Sequence, residues 1–117
     1  AVQSHPLVTL PQGSGVTHLI DDWLRHADAR PARRLVCNHW GAIVGLLAQG
    51  SGIGLLPEGW AQALHARDVL QVLPSLVPLG ALGYALHSRR DDLRPLVSML
   101  HGLAAQHADF TVASGAF

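Results

Sequence analysis

Val16, Leu19, Ile20, Trp23, Leu24 and Ala27 recur at three- and four-residue spacing and draw one apolar stripe, which predicts a helix over residues 16–27. Ahead of it, Leu7-Val8-Thr9-Leu10 is a short β-prone run between Pro6 and Pro11, and Gln12-Gly13-Ser14-Gly15 has turn chemistry. The order is therefore strand, tight loop, helix, with Ser14 or Gly15 in the N-cap region.

The same unit recurs downstream. Leu35-Val36-Cys37 predicts a second strand, and Asn38 is placed to cap a helix over 39–49 whose buried face is Ala42, Ile43, Leu46 and Leu47. Gly50-Ser51-Gly52 ends that helix, since glycine takes the left-handed position after a helix without a Cβ penalty. Ile53-Gly54-Leu55-Leu56 reads as a third strand, buried on both sides. Pro57 and Glu58 suit the first turn of a short helix reaching Ala66. Beyond it the pattern predicts a strand over 69–73, a Pro/Gly-punctuated connection over 74–80 and a strand over 82–86. A final helix, capped by Asp91 or Asp92, carries the stripe Leu93, Leu96, Val97, Leu100, Leu103 and Ala104. Residues 111–117 read as a frayed tail.

Strands alternating with helices of about ten residues imply an α/β fold, with a mainly parallel sheet flanked by helices and right-handed crossovers. Ligands of such sheets bind beyond the carboxyl ends of the strands. Attention therefore falls on the strand-to-helix loops over 11–15 and 38–41.

Composition narrows the function classes. With 117 residues, 49% of them hydrophobic and only 14% charged, the chain has material for one core and too little charge for a disordered segment. Eight basic residues, all arginine, balance eight acidic ones, so there is no footprint for gripping a phosphate backbone. Arg30, Arg33 and Arg34 beside Pro31 read as a solvated loop. The single cysteine, Cys37, excludes an internal disulfide and fits a reduced cytoplasmic compartment. Apolar runs are broken well short of the ~20 residues that span a bilayer, so no membrane partner is expected.

Catalytic and metal signatures are absent from the sequence. Gly50-Ser51-Gly52-Ile53-Gly54 follows a helix and precedes a strand, the reverse of a dinucleotide loop. The eight histidines include no His-Glu-x-x-His pattern and no i, i+4 pair on a predicted helix. Neither Ser14, Ser51 nor Ser114 stands in a nucleophile elbow, and Asp21 and Asp22 are adjacent on a helix and diverge by about 100°. No catalytic residue, metal ligand or cofactor is assigned.

Ligand-facing candidates remain. Gln12, Gly13, Ser14, Gly15 and Val16, with Thr17, combine hydrogen-bonding side chains with a glycine-rich backbone at a helix start, where orphan N–H groups and the dipole suit an anion. The same glycines serve equally well as a plain turn and cap. Asn38, His39 and Trp40 offer donors and an aromatic wall at the next helix start, where Asn38 alone reads first as a cap.

The order of these features resembles the effector-binding domain of LysR-type transcriptional regulators. Leu46-Leu47-Ala48-Gln49-Gly50-Ser51-Gly52-Ile53-Gly54-Leu55-Leu56-Pro57-Glu58 resembles the family's helix, Gly-x-Gly-Ile turn, apolar strand and Pro-Glu sequence. Pro6-Leu7-Val8-Thr9-Leu10, Gly13-Ser14-Gly15, Asp22-Trp23-Leu24 and Pro31 resemble the preceding segment, and Tyr84-Ala85-Leu86 with Asp92-Leu93 the closing one. Together they cover about Pro6 to His107. The resemblance implies one lobe of a domain like type 2 periplasmic binding proteins: residues 1–82 as the second lobe, and 83–110 as a closing strand and helix returning to the first. It further implies a small-molecule effector held between lobes at Gln12, Gly13, Ser14, Gly15 and Val16 and at Asn38, His39 and Trp40. A homodimer or homotetramer would touch promoter DNA only through an N-terminal winged helix-turn-helix outside these residues. A periplasmic-type solute-binding lobe is the alternative that shares this architecture.

Overall fold

Leu7 and Val8 are both wholly buried, and because neighbouring strand residues point to opposite faces they give the sheet a core on each side. The computed structural model describes residues 3–109, with three strands and four helices among them. Strand β1 (Leu7–Thr9) lies between β2 (Arg34–Val36) and β3 (Ile53–Gly54), and both pairings are parallel. In register, Val8 stands beside Leu35 on one side and Gly54 on the other.

Helix α1 (Gly15–His26) connects β1 to β2, and α2 (Trp40–Ala48) connects β2 to β3 across β1. The two crossovers run in opposite directions along the sheet, and right-handed crossovers then place their helices on opposite faces. Packing agrees. Leu7 clusters with Ile20 and Leu24 of α1, with Val16, Trp23, Ala29, Ile53 and Leu55 against them. Helix α2 covers the other face over β1 and β3, where Leu47 reaches Gly54 and Ile43 is buried. Ala42, expected in that face, is exposed.

Gly52 and Gly54 permit this close approach. A Cβ on Gly52 would meet the Pro6 carbonyl oxygen at 2.3 Å, and one on Gly54 would stand 3.1 Å from both the Val8 oxygen and Leu47 Cδ1. Helices α1, α2 and α3 (Glu58–Ala66) all end in the same two-bond closure. After α2, Ser51 N–H donates to Leu46 O and Gly50 N–H to Leu47 O, with Gly50 at φ +75°. Asp28 and Asp68 take the equivalent left-handed position after α1 and α3, at φ +48° and +59°.

Several sequence expectations are corrected. The third strand pairs only at Ile53 and Gly54 and is half-buried rather than buried on both sides, because β3 is an edge strand and β1 ends at Thr9, leaving no ladder for Leu56. No strand forms over 69–73 or 82–86. Val69 N–H is spent on Leu64 O in closing α3, and neither segment has a ladder neighbour among the described residues. Arg34 is not in a solvated loop. It opens β2, half-buried, and its Nη2 donates to Asp21 of α1 at 2.8 Å.

The chain divides into two units, residues 1–82 and 83–117. The second holds α4 (Pro95–His107), none of whose residues is buried: Leu96, Leu100 and Leu103 are all exposed, as is Leu93 before it. Arg94, not Asp91 or Asp92, occupies the N-cap, followed by Pro95 at a position suited to its missing N–H. The Asp92 carboxylate accepts from Arg94 N–H, Nε and Nη2, while Asp91 receives Arg89. The expected tail over 111–117 lies outside the described residues.

Candidate functional site

The first strand-to-helix loop begins at Leu10 and ends in a cap. Ser14 Oγ accepts from Thr17 N–H at 3.1 Å and pairs with Thr17 Oγ1 at 3.0 Å, while Thr17 Oγ1 donates to Ser14 O at 2.8 Å. Thr17 is buried, so its hydroxyl closes the cap and presents nothing outward, contrary to its expected role as a ligand-facing group. Gln12, Gly13 and Gly15 are exposed, Ser14 and Val16 half-buried. Gly13 sits at φ +93°, the left-handed backbone that lets the chain turn from β1 into α1. Thr17 N–H is taken by Ser14 Oγ and His18 N–H by Ser14 O, which leaves Gly15 and Val16 as the helix positions whose amides no intrahelical carbonyl reaches.

At the second helix start the cap is His39, not Asn38. His39 has extended backbone, φ −148° and ψ 132°, and its Nδ1 accepts from Gly41 N–H at 3.0 Å. Asn38 is one residue too early and stays exposed. Trp40 is half-buried, its ring edge-on to Trp60 of α3 at 6.1 Å between centroids and 63° between planes. Its aromatic wall is thus shared with α3, and Trp60 was not singled out from the sequence.

Strand order decides how these starts relate. With β1 central, the loops leaving β1, β2 and β3 emerge at the same edge of one parallel sheet, and connectivity reverses between β1 and β3. Such a switch point is where open α/β sheets bind ligands. It adds residues 55–57, which sequence reasoning missed because strand order is not written in local pattern. The three helix starts differ in charge. Glu58 stands in the first turn of α3, where its carboxylate complements the dipole and accepts from Gln62 Nε2 at 3.1 Å. Neither α1 nor α2 has an acidic residue in its first turn, so no first-turn carboxylate offsets their positive ends.

A concavity of about 400 Å³ lies at the other end of α1, lined by Asp21, Arg25, Asp28, Arg30 and Arg34 among others. Arg34 Nη2 pairs there with Asp21, and Arg25 with Asp22 beside it, while Arg34 Nη1 is buried without a hydrogen-bond partner. In the candidate loops Gln12, Gly13, Gly15, Asn38 and His39 are exposed. Among the described residues no cluster of three or more His, Cys, Asp or Glu side chains is arranged to hold a metal, and no helix is long and apolar enough to cross a membrane.

A profile of the family described as the LysR substrate binding domain matches residues 1–109. No curated protein and no solved structure matches the chain.

Proposed function

The chain belongs to the LysR substrate binding domain family, and from that premise we propose that it is the ligand-sensing part of a LysR-type transcriptional regulator, binding a small anionic effector at the carboxyl edge of its sheet. The family is regulatory rather than enzymatic. The match favours this reading over a periplasmic-type solute-binding lobe.

One observation carries the choice of site. Of the three helix starts on that edge, α1 and α2 lack an acidic first turn while α3 has Glu58, so an anion is favoured at Gly15 and Val16 and at Trp40, whose neighbour Gly41 already donates its N–H to His39 Nδ1. Gln12, Gly13, Ser14, Gly15 and Val16 form the first contact region and Asn38, His39 and Trp40 the second. In this reading residues 1–82 are the second lobe of a domain like type 2 periplasmic binding proteins, and 83–110 return to the first. Exposed loop residues are what half of an interlobe pocket presents.

Effector binding favours one arrangement of the lobes, and a cytoplasmic homodimer or homotetramer then presents its distant winged helix-turn-helix domains differently to promoter DNA. Calorimetry on the full-length regulator tests the site. Gly15→Val places a branched side chain where a Cβ alone would stand 3.0 Å from Leu82 Cδ1. Effector affinity falls for Gly15→Val if the loop lines the pocket, and unchanged affinity removes it.

A further inference from the structure

The segment after α3 does not simply wander between the two units. Trp23 Nε1–H is shared between Ser75 Oγ at 3.1 Å and the Val77 carbonyl at 3.2 Å, and Ser75 Oγ also donates to Val77 O at 2.7 Å. Further on, Gly80 lies against Leu19 and Leu82 against Gly15, each at 3.0 Å from glycine Cβ position to leucine methyl. Positions 23, 19 and 15 are successive turns of one α1 face, so residues 75–82 run antiparallel along the whole helix and end at its first residue. The first unit ends at that same Leu82.

We propose that residues 75–82 are a detachable strap on α1, latched by the Trp23 indole N–H, which fixes the point where the chain leaves the first unit. Pro74 and Pro78 flank a bend at Leu76 and Val77 and remove two N–H groups that a sheet ladder would need. Among the described residues no backbone–backbone hydrogen bond ties 75–82 to the rest of the unit, and within it only Val77 is better than exposed. A segment with so few buried contacts opens at low free energy, and here one indole supplies its polar anchor. Docked, Leu82 stands against the first turn of α1. Released, it uncovers that turn and frees the departure point of the second unit together. The strap stands on these contacts alone; its bearing on effector access rests on the function proposed above.

Native-state chymotrypsin digestion of the whole chain, with fragments mapped by mass, tests the latch, since cleavage tracks the population of the opened segment. Trp23→Phe keeps the ring and removes the N–H. Cleavage after Leu79 and Leu82 then rises several-fold to about tenfold, the scale of one neutral hydrogen bond, with cleavage inside α1 and α2 unchanged. Ser75→Ala, which leaves the Val77 acceptor, gives a smaller rise at the same two sites. Unaltered cleavage there in both variants, or a rise shared equally by α1 and α2, overturns the proposal. Neither readout involves an effector, so failure of the binding site leaves the strap result standing, and the reverse.

Discussion

Gly52 and Pro6 approach so closely that a single added methyl would sit 2.3 Å from the Pro6 carbonyl oxygen, which is itself the acceptor for Ile53 N–H at 2.9 Å. That carbonyl opens the β1–β3 pairing, and the pairing creates the strand-order reversal on which the candidate site depends. Gly52→Ala is expected to lower stability by roughly 2–3 kcal/mol, near the upper end for single substitutions. Urea unfolding measures this as a shift in midpoint, and an unchanged midpoint would show that the backbone at residue 52 relaxes without cost.

Two helices end on aspartate where glycine is the natural residue. Asp28 and Asp68 both carry positive φ, so Asp28→Gly and Asp68→Gly each relieve left-handed strain and are expected to stabilise by up to about 1 kcal/mol. Gly50→Ala imposes the same strain after α2 and is expected to destabilise by about 1 kcal/mol. Thermal unfolding of the three variants gives the signs, and destabilisation by both glycine substitutions would contradict the assignment.

Ser14 is a cap before it is anything else. Ser14→Ala removes the acceptor for Thr17 N–H and is expected to cost about 1 kcal/mol, whereas Ser14→Gly costs only a few tenths. Denaturant titration of both variants checks the ranking. Equal losses would mean that Ser14 is held by something other than its cap bonds.

The Arg94 guanidinium beside Asp92, with the Arg94 backbone N–H, holds the Asp92 carboxyl below its ordinary value, and the carboxylate in turn raises Arg94. A depressed carboxylate stabilises the folded form above the ordinary carboxylate pKa, and that contribution is lost as pH falls through the lowered one. An NMR titration of the Asp92 carboxyl should give a midpoint below an ordinary aspartate, and Arg94→Ala should restore it. A normal midpoint in the unaltered chain contradicts the contact.

In the second unit the apolar stripe of α4 is exposed, and a pure solution offers it only other copies of the chain. Sedimentation is expected to show concentration-dependent self-association. A monomer at high concentration would mean that α4 is covered within the chain.

Local pattern carried much of the fold and little of the site. The stripe through Ile20 and Leu24, the turn at Gly13 and the stop at Gly50 were readable because each depends on residues a few positions apart. Val69, Val72 and Tyr84 have β propensity, but a strand also needs a neighbour, and none is written into the segments themselves. The cap passed from Asn38 to His39 because backbone extension and imidazole reach decided it, and Thr17 was lost as a candidate because burial turned its hydroxyl onto Ser14. Arg34 left its loop for Asp21, a partner thirteen residues away. Strand order, which adds residues 55–57 and sets Glu58 apart from the other helix starts, is a tertiary fact throughout.

The most direct test of the proposed effector site is an amide-resolved NMR titration of the chain with simple carboxylates, from acetate to phenylacetate. Binding at the carboxyl edge predicts saturable shifts centred on Gly13, Ser14, Gly15 and Val16 and extending to Trp40 and to residues 55–57. Shifts confined to the Arg30 and Arg34 concavity, or none at the α1 start with any carboxylate, would contradict it.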